Sequence, residues 1–514
     1  MNVTPIPDYL HVAHATDLSG RDKTIYRFLE MVPAILSWGT VVLVVLLAIV
    51  APVYAAFLVI AFDLYWLLKT GNLAIHQYHN WKRIKHNMSV DWQAMLASIR
   101  YEHLYHMVVL PYYKEDEDVL RGSLEALAHT VYDKKRIIVV LASEGRAGKE
   151  HVALGKKMEQ EFAGTFGYFL HTVHPDGMAG EIQGKGPNIT YACNRAKVEI
   201  VEKNKLNKEN IIVSAFDIDT VAGEQYFLCL TWHFLTTENP HKASFQPVPF
   251  YNNNIWHAPA FSRVAAFSST AWQMIQQERV EKLTTFSSHA ISFAALEQVG
   301  FWQKNVVSDD SRIFWNLYFA NDSDYRVVPI SYPVSMDANL AETNKETFKN
   351  IYKQHLRWMW GSENVPYMLF GFIKNKKIAW TEKLFQTFVY TESFWSAATA
   401  PIIIFLLGWL PIWLGGDAFR DTLISYNLPY VTSNLMLAAM SGLILLSVIY
   451  LSFMPPLPKE KQNHKKYHYT VAVLQWLLVP IAIIVFGAIP ALHAQTNLAL
   501  GRRQGFWVTP KHRK

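Results

Sequence analysis

Ile211-Ile212-Val213-Ser214-Ala215-Phe216-Asp217-Ile218-Asp219 decides the fold: an apolar, β-branched run that ends in two carboxylates one residue apart. β-Branched and aromatic residues favour strands. Similar short runs, Met107–Leu110, Arg136–Leu141 and Tyr325–Ile330, alternate with helix-like stretches such as Val119–His129 and Glu150–Phe162. Strands separated by helical patterns predict parallel βαβ units, so residues from about 90 to about 345 read as a soluble α/β domain. Two carboxylates closing a strand can hold a divalent cation against a diphosphate, because hard cations take oxygen ligands. The plainer reading of the same residues is an aspartate-rich turn.

Outward from this domain the composition changes. Of 514 residues, 51% are hydrophobic and only 18% charged, against about a quarter charged in ordinary soluble domains. The deficit lies at the two ends. Met31 to Val50 carries no charge and can span roughly 30 Å of hydrocarbon. Pro52 marks a turn, and Val53 to Leu68 runs back. The flank Lys69 to His86 holds Lys69, Lys82, Arg83 and Lys85, which predicts a cytosolic side. Three more apolar stretches cover about 385–414, 431–454 and 469–493. Between the domain and these, Lys345 to Trp380 is basic, aromatic and amphipathic, as in a helix at a membrane surface. The tail from Gly501 is basic and should also be cytosolic, yet three full crossings would put it outside. One stretch is therefore expected to be re-entrant or interfacial, and Pro480 makes the last one the first suspect.

Several classes are disfavoured. The net charge of +6 is mild, and no basic–aromatic pattern suggests nucleic acid. Cys193 and Cys229 form no CxxC pair or metal-ligand spacing. No secretory signal is expected. Transporters place ionisable groups inside their membrane helices; here those helices are nearly uncharged, and the carboxylates cluster in the soluble domain.

Further residues suit chemistry, each with a bland alternative. Pro111-Tyr112-Tyr113-Lys114-Glu115 follows a strand, at the end where open α/β sheets bind ligands, or it is an ordinary turn. Lys185, between Gly184 and Gly186, could reach a phosphate but lacks the Walker spacing. Ser308-Asp309-Asp310 could supply a general base, since adjacent carboxylates push one pKa upward. Equally, it is a good helix N-terminus. In Gln354-His355-Leu356-Arg357-Trp358, helical spacing puts Gln354, Arg357 and Trp358 on one face. Arginine can clamp diphosphate and tryptophan can stack on a sugar, or both anchor an interfacial helix. Phe506-Trp507-Val508-Thr509-Pro510-Lys511 is apolar for a solvated tail and could fold over a nucleotide.

In this order, flanked by membrane segments, the motifs resemble the processive family 2 membrane glycosyltransferases: cellulose synthase catalytic subunits, with hyaluronan and chitin synthases as relatives. The resemblance runs from about residue 30 to 511, and Gln-x-x-Arg-Trp with Phe-x-Val-Thr-x-Lys is its specific part. It implies a GT-A-type nucleotide-sugar-binding α/β domain inserted between transmembrane helices. The expected division is an N-terminal cytosolic segment (1–30), two transmembrane helices (31–70), the cytosolic transferase domain (71–345), amphipathic interfacial helices (346–384), membrane segments (385–495) and a gating-loop-like tail (496–514).

The resemblance also implies roles. Tyr113 and Glu115 would line the base and ribose, and Lys185 would help hold the donor. Asp217 and Asp219 would position a uridine diphosphate with Mg²⁺ or Mn²⁺, and Asp310 would be the general base. Gln354 and Arg357 would bind the diphosphate, with Trp358, His289 and Asp309 at the acceptor. Phe506, Val508, Thr509 and Lys511 would form a gating loop. The family's Asp-Asp-Gly is replaced by Ser143-Glu144-Gly145, so either Glu144 takes the place of that carboxylate or the contact to the base is lost. The implied activity is inverting transfer from a UDP-sugar to a saccharide acceptor. It would be processive β-linked polysaccharide synthesis coupled to translocation at the plasma (inner) membrane; the alternative is single transfer to a membrane lipid.

Overall fold

The computed structural model describes residues 7–510. Eight strands form one sheet in the order β3-β2-β1-β4-β7-β6-β8-β5. They are β1 (Tyr105–Tyr112), β2 (Ile137–Glu144), β3 (Tyr168–His174), β4 (Ile211–Ala215), β5 (Val221–Ala222), β6 (Ala243–Tyr251), β7 (Ala290–Ser292) and β8 (Arg326–Met336). The first four pair in parallel, with Val109 opposite both Val140 and Ala215. The short antiparallel β7 joins β4 to β6.

Alternate side chains leave opposite faces of a strand, and both faces are covered here. Met107, Val109, Ile138 and Val140 pack with the helices Lys185–Ala196 and Asp309–Ala320. Val108, Leu110, Val139 and Leu141 pack on the other side with Glu117–Ala128 and Tyr226–Thr236. Burying each such side chain contributes about 1.5–3 kcal/mol, which explains strands of nearly unbroken apolar residues. Parallel pairing brings the ends of β1, β2 and β4 to one edge, and this edge carries the site.

Four helical runs are long and apolar enough to cross a membrane: Gly20–Val50, Pro52–Ser89, Leu423–Ser452 and Lys459–Ala499. The pair Trp380–Phe405 and Leu407–Leu414, bent by 47°, makes a fifth if it counts as one span. These helices mark a membrane protein. The second is longer than its apolar part. Its basic flank stays helical to Ser89 because no proline interrupts it, and there it grips the domain. Asn87 Nδ2 donates to the carbonyls of Ile330 (3.0 Å) and Ser331 (3.2 Å).

The contacts also show where each run leads. The bent pair ends at Gly415, where an added Cβ would lie 2.8 Å from Cβ of Pro52 at the tip of the first hairpin. Leu423–Ser452 returns to the domain end, where Trp81 Nε1 and Lys85 Nζ each donate to Ser452 at 2.8 Å. Lys459–Ala499 behaves differently. It starts beside Trp256, whose carbonyl accepts from Lys461, and ends where Arg27 donates to the carbonyls of Leu498 and Ala499. In between it breaks into short pieces around Pro480, including a π-helical turn at Ile484–Ala488. Both its ends lie at the domain end of the bundle.

Candidate active site

Lys185 lies at the centre. Gly184 ends a loop and Lys185 opens the helix Lys185–Ala196, which aims its side chain across the edge of the sheet. Its ammonium donates to Asp217 Oδ1 at 2.7 Å and to Asp310 Oδ1 and Oδ2 at 2.9 and 3.2 Å. Burial alone would lower the Lys185 pKa, but Asp217 and Asp310 outweigh it and hold the ammonium above its ordinary value. Two carboxylates that lie 93 positions apart in the chain are thus joined through one cation.

Asp217 follows β4, and its Oδ2 accepts from Ser287 Oγ at 2.8 Å. Asp219 is fully buried, and its Oδ2 accepts the Asp337 N–H at 2.9 Å. Both line the cavity. No three His, Cys, Asp or Glu side chains converge into a metal cage among the described residues. Two neighbouring carboxylates fit Mg²⁺ or Mn²⁺ nonetheless, because such ions are commonly held by one or two carboxylates and completed by substrate phosphates.

Asp310 and Asp309 open the helix Asp309–Ala320. Burial, and then the charge of Asp310, push the Asp309 carboxyl up to about 8, so it is mostly protonated near neutral pH. The loop before them is held by Glu363. Its Oε1 accepts from the backbone N–H groups of Val307 (3.1 Å) and Ser308 (2.8 Å) and from Ser308 Oγ (2.7 Å). Its Oε2 accepts from Trp360 Nε1 at 2.8 Å. No sequence pattern marks Glu363.

Tyr113, Glu115 and Glu144 gather at the ends of β1 and β2. Glu115 Oε2 accepts the Tyr113 N–H at 2.7 Å. Arg146 pairs with Glu144, and its guanidinium lies 4.1 Å above the Tyr113 ring. Arg146 was also not foreseen; its place two residues after Glu144 is the signal that could have found it.

The helix Asn344–Met359 presents Gln354, Arg357 and Trp358 to the same cavity. The Arg357 guanidinium sits 4.6 Å above the Phe506 ring, and among the described residues its buried Nε has no hydrogen-bond partner. Thr509 Oγ1 is likewise buried and unpartnered. Phe506, Val508 and Thr509 all line the cavity, while Lys511 lies outside the described residues. His289 is placed differently from the rest. Fully buried, it is absent from the cavity wall. Its Nδ1 donates to the Phe286 carbonyl at 2.6 Å, and its Nε2 accepts from Trp302 Nε1 at 3.3 Å. Burial lowers its pKa, so the ring is neutral, 3.9 Å from Asp310. The cavity surface in that loop belongs to Ser287.

The cavity measures about 800 Å³ and continues from these groups into the helix bundle. The cavity thus joins the carboxyl ends of parallel strands, paired carboxylates and an arginine-bearing helix, an arrangement suited to a nucleotide sugar. Residues 212–489 match the glycosyl transferase family group 2, and the chain belongs to that family. It is a GT-A-like glycosyltransferase, taking its sugar from a nucleotide sugar. No curated protein matches it. Among solved structures, the mannosyltransferase PcManGT from Pyrobaculum calidifontis, in complex with GDP-Man and Mn²⁺, is similar at 12% identity and a TM-score of 0.41; the match covers 83% of this chain and 97% of that one. S. aureus TarS 1-349 in complex with UDP-GlcNAc is similar at 11% identity and a TM-score of 0.34, covering 68% and 91%.

Proposed function

We propose that the protein is a metal-dependent inverting glycosyltransferase of a cell's plasma (inner) membrane, with a cytosolic active site and Asp310 as the general base. The observation that carries this is the Lys185 bridge between Asp217 and Asp310. It joins a donor end and an acceptor end in one cavity. A divalent ion held by Asp217, Asp219 and a UDP diphosphate would stabilise the charge that develops on the leaving group. Arg357 and Thr509 supply unpartnered donors for the phosphates, and Tyr113 under Arg146 offers a face for the base. Lys185 would turn from the carboxylates toward the diphosphate when the donor binds. Asp310 then accepts the acceptor proton as the hydroxyl oxygen bonds to the anomeric carbon and the bond to the diphosphate breaks. One such displacement inverts that carbon.

Processive synthesis would favour a passage lined for sugar along its length. The helix-bundle part of this cavity sets an apolar wall, with Ala400, Ile404, Leu435 and Met436, opposite its polar one, which favours a lipid-borne acceptor and one addition per acceptor.

Asp310→Asn should lower sugar transfer by about 10²–10⁴-fold, the usual worth of a general base. Mn²⁺-dependent binding of UDP should persist. Retained turnover in this variant, or UDP binding indifferent to chelator, would defeat the reading.

A further inference from the structure

Beyond the carboxylates the cavity has two unlike walls. One is built from the second helix and from the helix Ala260–Gln277 with the loop after it. It presents Lys69, Thr70, Gln273, Gln276, Arg279 and Lys282. The other is contributed by the helices Trp380–Phe405 and Leu423–Ser452 and the broken run around Pro480. Its deeper part is lined by Ala400, Ile404, Leu435, Met436, Ala439 and Ile483, all apolar, while Tyr390, Glu392, Ser393 and Ser396 of the first of these helices lie nearer the domain. Its outer surroundings are apolar too: Leu437 and Ile481, on the same helices, are 69% and 61% exposed. Hydration of apolar surface is unfavourable, so this wall calls for a hydrocarbon occupant.

The polar wall holds one cation that no carboxylate pairs. Lys69 pairs with Glu392, and Arg279 Nε sits 3.3 Å from Glu281. Asp63 lines the same wall, but Lys282 is half-buried and, among the described residues, no carboxylate lies within ion-pair distance of it. Burial and then the neighbouring Arg279 lower the Lys282 pKa, the state of a cation short of a counter-ion. Lys282 is also close to the chemistry. Ser287, which binds Asp217, is five positions further along the chain, so the two Cα atoms lie within roughly 17 Å. A ligand anchored at Lys282 can present a hydroxyl to Asp310.

We propose that Lys282, flanked by Arg279 and Lys69, binds the phosphate of a long-chain anionic lipid that carries the acceptor hydroxyl, with the chain lying along Ala400, Ile404, Leu435 and Met436. This rests on the transferase reading above and names its acceptor class.

The test uses the full chain, released from detergent in a native mass spectrometer with equal amounts of dodecyl phosphate and dodecyl glucoside. Dodecyl phosphate should be retained preferentially. Lys282→Gln should cut that retention about tenfold, the scale of one charge-assisted hydrogen bond. Lys282→Arg should restore it, which separates loss of charge from misfolding. Ala400→Trp, which fills the apolar lane, should reduce retention of both alkyl compounds. Equal retention of dodecyl phosphate by Lys282→Gln overturns the proposal. So does unchanged retention in Ala400→Trp, or displacement of dodecyl phosphate by an equal concentration of inorganic phosphate, which would make this a site for free phosphate. No nucleotide sugar is present, so failure here leaves the transfer chemistry standing. Loss of UDP binding in the unaltered protein would strike that chemistry alone.

Discussion

Glu363 shows how one side chain can set the position of another. It is 1% exposed and takes four hydrogen bonds, three of them from Val307 and Ser308 immediately before Asp309 and Asp310. A carboxylate accepting backbone N–H groups is a strong, directional anchor, so the acidic helix start is fixed from behind. Glu363→Ala should lower kcat more than tenfold, while the KM for the nucleotide sugar stays within about twofold, since misplacing a base costs rate rather than donor binding. Glu363→Gln keeps two acceptor lone pairs and should recover most of the rate. A rise in donor KM with kcat intact would make Glu363 a general support of the fold. The sequence marked Asp309 and Asp310 because two acids at a helix start are visible as a pair. Glu363 was hidden because its partners lie 55 and 56 positions upstream, a meeting that only the fold creates.

At the level of elements, the most legible was β4. An apolar run closed by Asp217 and Asp219 has few readings, and the parallel sheet follows from its alternation with helices. The length of the second helix was less legible, because the basic residues from Lys69 to His86 look like a solvated flank until Asn80 and Asn87 are seen docked on Ser331. The turn before Lys185 depends on a neighbour from far along the chain. Gly184 has φ +156°, and a Cβ there would meet the Phe506 ring at 2.7 Å, so glycine gives the tail room to lie against the lysine turn. Gly184→Ala should lift Phe506 from Arg357 and raise the donor KM at least about tenfold, well inside the roughly 10²-fold that a 1 Å misplacement can cost. Truncation before Phe506 should have the same effect. An unchanged KM in both variants would leave the tail without a part in donor binding.

At the level of the whole molecule, we propose that the last apolar run enters the membrane without crossing it, which would reconcile a basic tail with three apolar stretches. The bent pair reaches Pro52 at the far end of the bundle and Leu423–Ser452 comes back, while Lys459–Ala499 begins and ends on the domain side. The run does break around Pro480, because a proline inside an apolar helix interrupts its hydrogen bonds. What composition could not reveal was which side chains the pieces would meet. Single cysteines placed at residues 416 and 505 in a protein whose Cys193 and Cys229 are buried should react with an impermeant maleimide from opposite sides of a sealed vesicle. Labelling of both from one side would mean that Lys459–Ala499 does cross.

The clasp of Arg27 on Leu498 and Ala499 has a consequence in time. A ribosome makes the carboxylates, the lysine and the basic clamp long before residues 506–509. Through most of synthesis the nascent chain lacks residues 506–509, and Leu498 and Ala499, the carbonyl partners of Arg27, are made only shortly before them. If residues 506–509 cover the donor, as their place in the cavity wall suggests for the proposed reaction, the half-made chain has no cover to close on a nucleotide sugar.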